Sequence, residues 1–141
     1  MNCFIDQNMV LDRLCNDFDK HGKLIVAVDF DNTLYDYHGI GLDCSWVIDI
    51  VKFLHEQELA DIIIWTARAD NDLDFVKSFC QENGIPYSKI NEESDHSPTR
   101  NTKKPYYNIL LDDRAGLFSA YQTLDNFINS TQVRRWRKRN G

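Results

Sequence analysis

The run LIVAV at residues 24–28 constrains this chain more than any other feature. It is apolar throughout, rich in β-branched residues and free of alternation, which is the pattern of a strand buried on both faces in a parallel sheet. The run then stops at Asp29, with a second acid, Asp31, two positions on. Two more runs end the same way: DIIIWTA (61–67) carries Thr66 at its end and Arg68 just beyond, and YNILLDD (107–113) ends in Asp112 and Asp113.

The intervening segments read as helices. Val10, Leu14 and Phe18, with Leu11 and Cys15 beside them, predict an amphipathic helix over 7–20 that Gly22 ends. Asp43 or Ser45 is placed to cap a second helix with Val47, Ile48, Val51 and Leu54 on its apolar face. Asp70 opens a third through Leu73, Val76, Phe79 and Cys80, and Gly84 sits where a left-handed cap belongs. Ile85 to Ile90 is a weaker strand, and Leu117, Tyr121, Leu124 and Ile128 mark a last helix. Strict alternation of strand and helix predicts a Rossmann-like, doubly wound α/β fold, a mainly parallel sheet with flanking helices. Residues 91–105 form the one long irregular segment.

The 141 residues suit a single domain. It spans 1–133, with an N-terminal helix in 1–22 and a core over 24–128, followed by a short basic tail at 134–141. No apolar stretch approaches the ~18 residues of a membrane span. The beginning MNCFIDQNMVLDRL lacks the basic-then-apolar order of a secretory signal, so a cytoplasmic protein without membrane contact is expected. Cys3, Cys15, Cys44 and Cys80 form no C-x-x-C pair and read as buried or incidental thiols. The net charge of −6 becomes −11 without the five basic residues of the tail, so an acidic body carries one basic end. That end either touches nucleic acid or another acidic partner, or frays while complementing the dipole of the last helix.

In open parallel sheets ligands bind beyond the carboxyl ends of the strands. The three apolar runs therefore deliver four carboxylates, a hydroxyl and a guanidinium to one rim. Crowded carboxylates repel unless a hard cation such as Mg2+ neutralises them, and phosphate is the usual anion to complete such a site. Lys103 and Lys104, just before the last run, are placed to balance its charge. A carboxylate can attack phosphorus, and a second one two residues along can protonate the leaving group and activate water.

These residues resemble the motifs of the haloacid dehalogenase (HAD) superfamily of phosphohydrolases. DFDNTL (29–34) is similar to its D-x-D-x-T motif, IIIWTAR (62–68) to its strand ending in Thr or Ser, Lys104 to its lysine, and LLDD (110–113) to its acid pair. W-T-x-R together with D-D-R is similar to small HAD proteins without cap domains, and a similar D-D-R ending occurs in the phosphatase domain of polynucleotide kinases. The resemblance implies an Mg2+-dependent phosphatase that works through an aspartyl-phosphate. Asp29 would be the nucleophile, Asp31 the acid/base, Thr66 a hydrogen bond to the phosphoryl group and Lys104 its neutralising cation. Mg2+ would lie on Asp29, the backbone carbonyl of Asp31 and Asp113, with Asp112 nearby. Asn32 stands where glycine is commoner, a residue that tolerates a turn with positive φ. The lysine sits unusually close to the acid pair, which leaves Lys103 as the alternative.

Asn32, Arg68 and Arg114 are further substrate-contact candidates, as are His38 and His96, while Tyr106 and Tyr107 read as core and rim packing. The expected partner is a phosphorylated small molecule or macromolecular end, nucleic acid included, and an oligomer is compatible with the chain. The rival readings are a nucleotide or polynucleotide-end phosphatase and an idle HAD-like binder of phosphorylated ligands. About a dozen residues follow the first motif before the second helix, and about 19 lie between Ile85 and Lys103. Neither stretch approaches the ~50 residues of a small domain, so an open site is expected.

Overall fold

The computed structural model describes residues 6–141. Cys3 lies outside the described residues. In chain order the elements are α1 (Gln7–His21), β1 (Leu24–Asp29), α2 (Ser45–Glu56), β2 (Ala60–Trp65), a single 3-10 turn (Asp70–Asp72), α3 (Leu73–Asn83), β3 (Lys89–Ile90), β4 (Ile109–Leu111) and α4 (Leu117–Asn140). The four strands form one parallel sheet in the order β3-β2-β1-β4. This is the Rossmann-like, doubly wound arrangement, and β1 and β4 flank its switch point, where ligands of such sheets bind.

Register explains the absence of alternation in LIVAV. Val26 pairs with Ile62 on one side and Ile109 on the other, so all three contribute to the same face. Leu24, Val26, Val28, Ile62, Ile64, Ile109 and Leu111 join Leu14 of α1, Val51 of α2, Val76 of α3 and Phe127 of α4 in one buried cluster. The opposite face holds Ile25, Ala27 and Ile63, covered by Trp65, Tyr106, Tyr107 and Leu110. The irregular segment after β3 thus covers the face that a helix covers in a larger doubly wound protein. Asn108 secures its end: its side chain accepts the Ile25 N–H (2.7 Å) and donates to Asp17 of α1 (3.0 Å).

Gly22 and Gly84 take the left-handed conformation at the ends of α1 and α3, as their positions predict. Several boundaries differ from the sequence reading. The strand expected over 85–90 shortens to Lys89–Ile90, and the last strand to Ile109–Leu111, because only these residues find ladder partners on β2 and β1. On α2 it is Ile50, not Ile48, that joins the fully buried residues. Neither Asp43 nor Ser45 is the N-cap of that helix, which is Cys44; the Asp43 carboxylate accepts the N–H (2.9 Å) and O–H (2.6 Å) of Ser45, the first residue of the helix.

The largest correction concerns residues 134–141. They are not a separate frayed tail, since α4 continues to Asn140. Arg134 holds both oxygens of Asp19 on α1 (2.8 and 2.9 Å), and Arg137, Lys138 and Arg139 sit in the last turn, where cations offset the helix dipole. Cys44 and Cys80 are buried and Cys15 is half-buried, all as free thiols. Among the described residues no helix is long and apolar enough to cross a membrane.

Candidate functional site

Asp29 is the last residue of β1, and Phe30 turns fully into the core behind it. The Phe30 carbonyl then accepts the N–H groups of Leu34 (2.9 Å) and Tyr35 (3.1 Å), which closes a tight loop. Asn32 lies within that loop at φ 61°, the positive φ its residue type suggests. The loop is tied to the sheet by the buried Thr33, whose hydroxyl donates to Asp29 (3.0 Å) and accepts the Asp113 N–H (3.2 Å). One side chain therefore joins the end of β1 to the turn after β4.

Asp112 and Asp113 follow β4, and Asp112 accepts the Arg114 N–H (2.9 Å). Oxygens of Asp29, Asp112 and Asp113 all lie within 4.8 Å of one another. Burial pushes the Asp29 carboxyl up to about 7, and the charges of Asp112 and Asp113 add to the shift against the opposing Thr33 bond. Three hard oxygen donors this close, one kept from ionising by burial and by its acidic neighbours, fit a small divalent cation. Mg2+ matches the donor set. Asp112 joins Asp29 and Asp113 in this triad, while the Asp31 side chain lies outside it.

Asp31 faces a different partner. Arg68 binds it through Nη2 to Oδ1 (2.8 Å) and Nε to Oδ2 (3.0 Å), the two-pronged geometry of guanidinium and carboxylate. The guanidinium is packed among four aromatic rings, with its carbon 4.9 Å from the Phe75 centroid and 5.5 to 5.9 Å from those of Phe30, Tyr37 and Tyr35. Thr66 follows β2; its hydroxyl accepts the Arg68 N–H (3.1 Å) and its own N–H donates to Asn91 (2.8 Å).

These side chains open onto one cleft of about 770 Å³. Asp29, Asp31, Asn32, Thr66, Arg68, Asp112, Asp113 and Arg114 all line it, so eight of the sequence candidates share a single wall. His38 lines it too, and His96 does not. Lys103 and Lys104 are exposed and do not line the cleft. They belong to the segment that crosses the opposite sheet face, where the Glu93 carboxylate gathers the hydroxyls of Thr99 and Thr102 and the Tyr106 N–H. The cations of the cleft are Arg68 and Arg114.

The sequence reading missed Asn91, Tyr37, Trp65 and Asp72. Asn91 had a signal: it is the first residue after β3, as Thr66 is the first after β2, and its N–H donates to Ile64 (2.8 Å). A strand of two residues is too short to draw attention to its end.

No protein-family model matches the chain, and no curated protein matches it. Among solved structures it is similar to a conserved protein from Bacteroides thetaiotaomicron. The two share 23% identity with a TM-score of 0.59, over 77% of this chain and 92% of that one. That likeness carries the α/β fold.

Proposed function

We propose that the protein is an Mg2+-dependent phosphatase of HAD type that hydrolyses phosphate monoesters through an aspartyl-phosphate on Asp29. The observation that carries the reading is the triad of Asp29, Asp112 and Asp113, with oxygens within 4.8 Å, opening onto the same cleft as Thr66 and two arginines. Asp29, Asp112 and Asp113 would hold Mg2+. When bound, it would screen the carboxylates from the phosphoryl oxygens and favour the ionised nucleophile.

An Asp29 oxygen attacks phosphorus as the ester oxygen leaves, and water then cleaves the acyl-phosphate to inorganic phosphate and free Asp29. Asp31 protonates the departing oxygen in the first step and takes a proton from water in the second. Both its oxygens are engaged by Arg68 in the resting state. A phosphoryl group offers the guanidinium the same two-pronged acceptor as a carboxylate, so substrate entry draws Arg68 away, and the freed Asp31 carboxylate takes the proton of the monoanionic phosphate ester, the proton it then gives to the departing oxygen. Arg68 takes the role that the resemblance assigned to Lys104. The Thr66 hydroxyl, an acceptor only from Arg68, keeps its proton for a phosphoryl oxygen.

A catalytically idle binder of phosphorylated ligands is the second reading, and the Asp31 to Arg68 pair favours it. Turnover separates the two. An aryl phosphate should be hydrolysed with Mg2+ and left intact with EDTA, and Asp29→Asn should abolish release while the fold survives. Normal turnover by Asp29→Asn would end the mechanism, and no turnover by the unaltered protein would leave the binder.

A further inference from the structure

We infer that the cleft receives a phosphorylated polypeptide segment with basic and apolar side chains beside the phosphate, and not a polynucleotide end; this rests on the phosphatase reading. The charge of the mouth is the first argument. Five aspartates and two arginines line the cleft, an excess of three negative charges that one divalent cation reduces to one. Asp70 and Asp74, both exposed, extend the acidic rim along the 3-10 turn and the first turn of α3.

A polynucleotide would bring its neighbouring phosphates against these acids, whereas such ligands are held by clustered Lys and Arg. The chain does have such a cluster, at the wrong end. Arg134 to Arg139 close α4, whose 24 residues rise ~36 Å from the turn that follows Asp113. Arg134 pairs there with Asp19, near the end of α1, which leads into the start of β1 and so marks the opposite edge of the sheet.

The second argument is apolar. Tyr37, which lines the cleft, is 56% exposed; Ile40 (76%) and Leu42 (43%) follow it on the same loop, and Phe75 (43%) stacks on the cleft's Arg68. The loop that carries the first three is braced, because the Asp36 carboxylate accepts the N–H groups of Ile40 (3.3 Å), Gly41 (2.8 Å) and Leu42 (3.1 Å). Apolar side chains held outward on an ordered loop have already lost the freedom that binding would remove, the condition for a preorganised contact surface. A polypeptide matches both features: Lys or Arg beside the phosphate meets Asp70 and Asp74, and an apolar neighbour packs on Tyr37 and Ile40.

Binding and turnover test this separately. Fluorescence anisotropy with the unaltered protein and Mg2+ compares non-hydrolysable phosphonate peptides flanked by Lys and Leu, the same peptides flanked by Glu and Gly, and 5′- and 3′-phosphonate oligonucleotides. The basic, apolar peptide should bind at least tenfold tighter than the others, and the difference should shrink with salt. In Asp74→Asn/Ile40→Ser protein the ratio of its affinity to that of the acidic peptide should fall severalfold. Equal binding of the two peptides, or tighter binding of an oligonucleotide, overturns the inference. Aryl phosphate turnover reports on the phosphatase reading alone: preference without turnover supports the docking surface and sinks the enzyme, and turnover without preference does the reverse.

Discussion

At Asp29 a carboxyl group sits half-buried between two other carboxylates, and this small conflict governs how the site responds to pH. In an unfolded chain the group titrates near ~3.9; burial first, then the charges of Asp112 and Asp113, push it up to about 7 in the folded protein. Between those values the folded state keeps a proton that the unfolded state has lost. The Asp29 contribution to stability of the metal-free protein therefore falls as pH rises from about 4 to about 7, and is flat above. Thermal unfolding from pH 4 to 8 should reveal this slope, and Asp29→Asn should flatten it. Mg2+ competes with the proton, so it should raise the melting temperature more at pH 8 than at pH 5. Because all three acids stand together, the proposed mechanism has Asp112→Ala and Asp113→Ala each raise the Mg2+ concentration needed for half-maximal activity, Asp113→Ala the more. Metal titration of activity checks the order. Arg68→Lys keeps the charge but not the two-pronged grip on Asp31 or the stacking on Phe75, so kcat/KM for aryl phosphate should fall by ~10-fold or more.

Among the helices, α4 buries Leu124, Phe127 and Ile128 in the core. Phe127 is fully buried and meets Phe18 of α1 edge to face at 5.3 Å, joining the two helices that pack beside β1 and β4. Phe127→Ala should cost ~3–5 kcal/mol, measured by urea unfolding. A smaller effect of opposite sign is expected at the end of α2. Glu58 holds φ 56°, a conformation disfavoured for residues with a Cβ, and Glu58→Gly should stabilise the protein by ~0.5–1 kcal/mol. The first and third helices were readable end to end because each shows a 3.6-residue apolar period closed by a glycine, Gly22 for α1 and Gly84 for α3, whereas nothing in the sequence marked where α4 stops. Both short strands were expected, but their bounds were not readable. Lys89–Ile90 has no pattern of its own and exists because β2 offers Ile63 and Ile64 as ladder partners.

For the whole molecule, the two connections after β1 and after β3 hold no helix over 35–44 or 91–108. The cleft is consequently open, and small phosphomonoesters gain little binding energy beyond the phosphate. Their kcat/KM should stay well below ~10⁶ M⁻¹s⁻¹; a value there for one small metabolite with the monomeric protein would contradict the open cleft. That Asp29, Thr66, Asp112 and Asp113 meet was legible in the sequence alone. Parallel strands buried on both faces must be continuously apolar, and their common direction brings whatever follows them to the same edge. Arg68 was legible at the same rim, but the choice between it and Lys104 was not. Lys104 precedes β4 by five residues and looked suited, yet its segment is drawn to Glu93 on the other face, while Arg68 is captured by Asp31 among four rings contributed by the loop after β1 and by α3. Strand ends follow from local pattern because chain direction alone positions them. The path of a long irregular connection is decided by hydrogen bonds and packing between residues far apart in sequence, and those exist only once the sheet has formed.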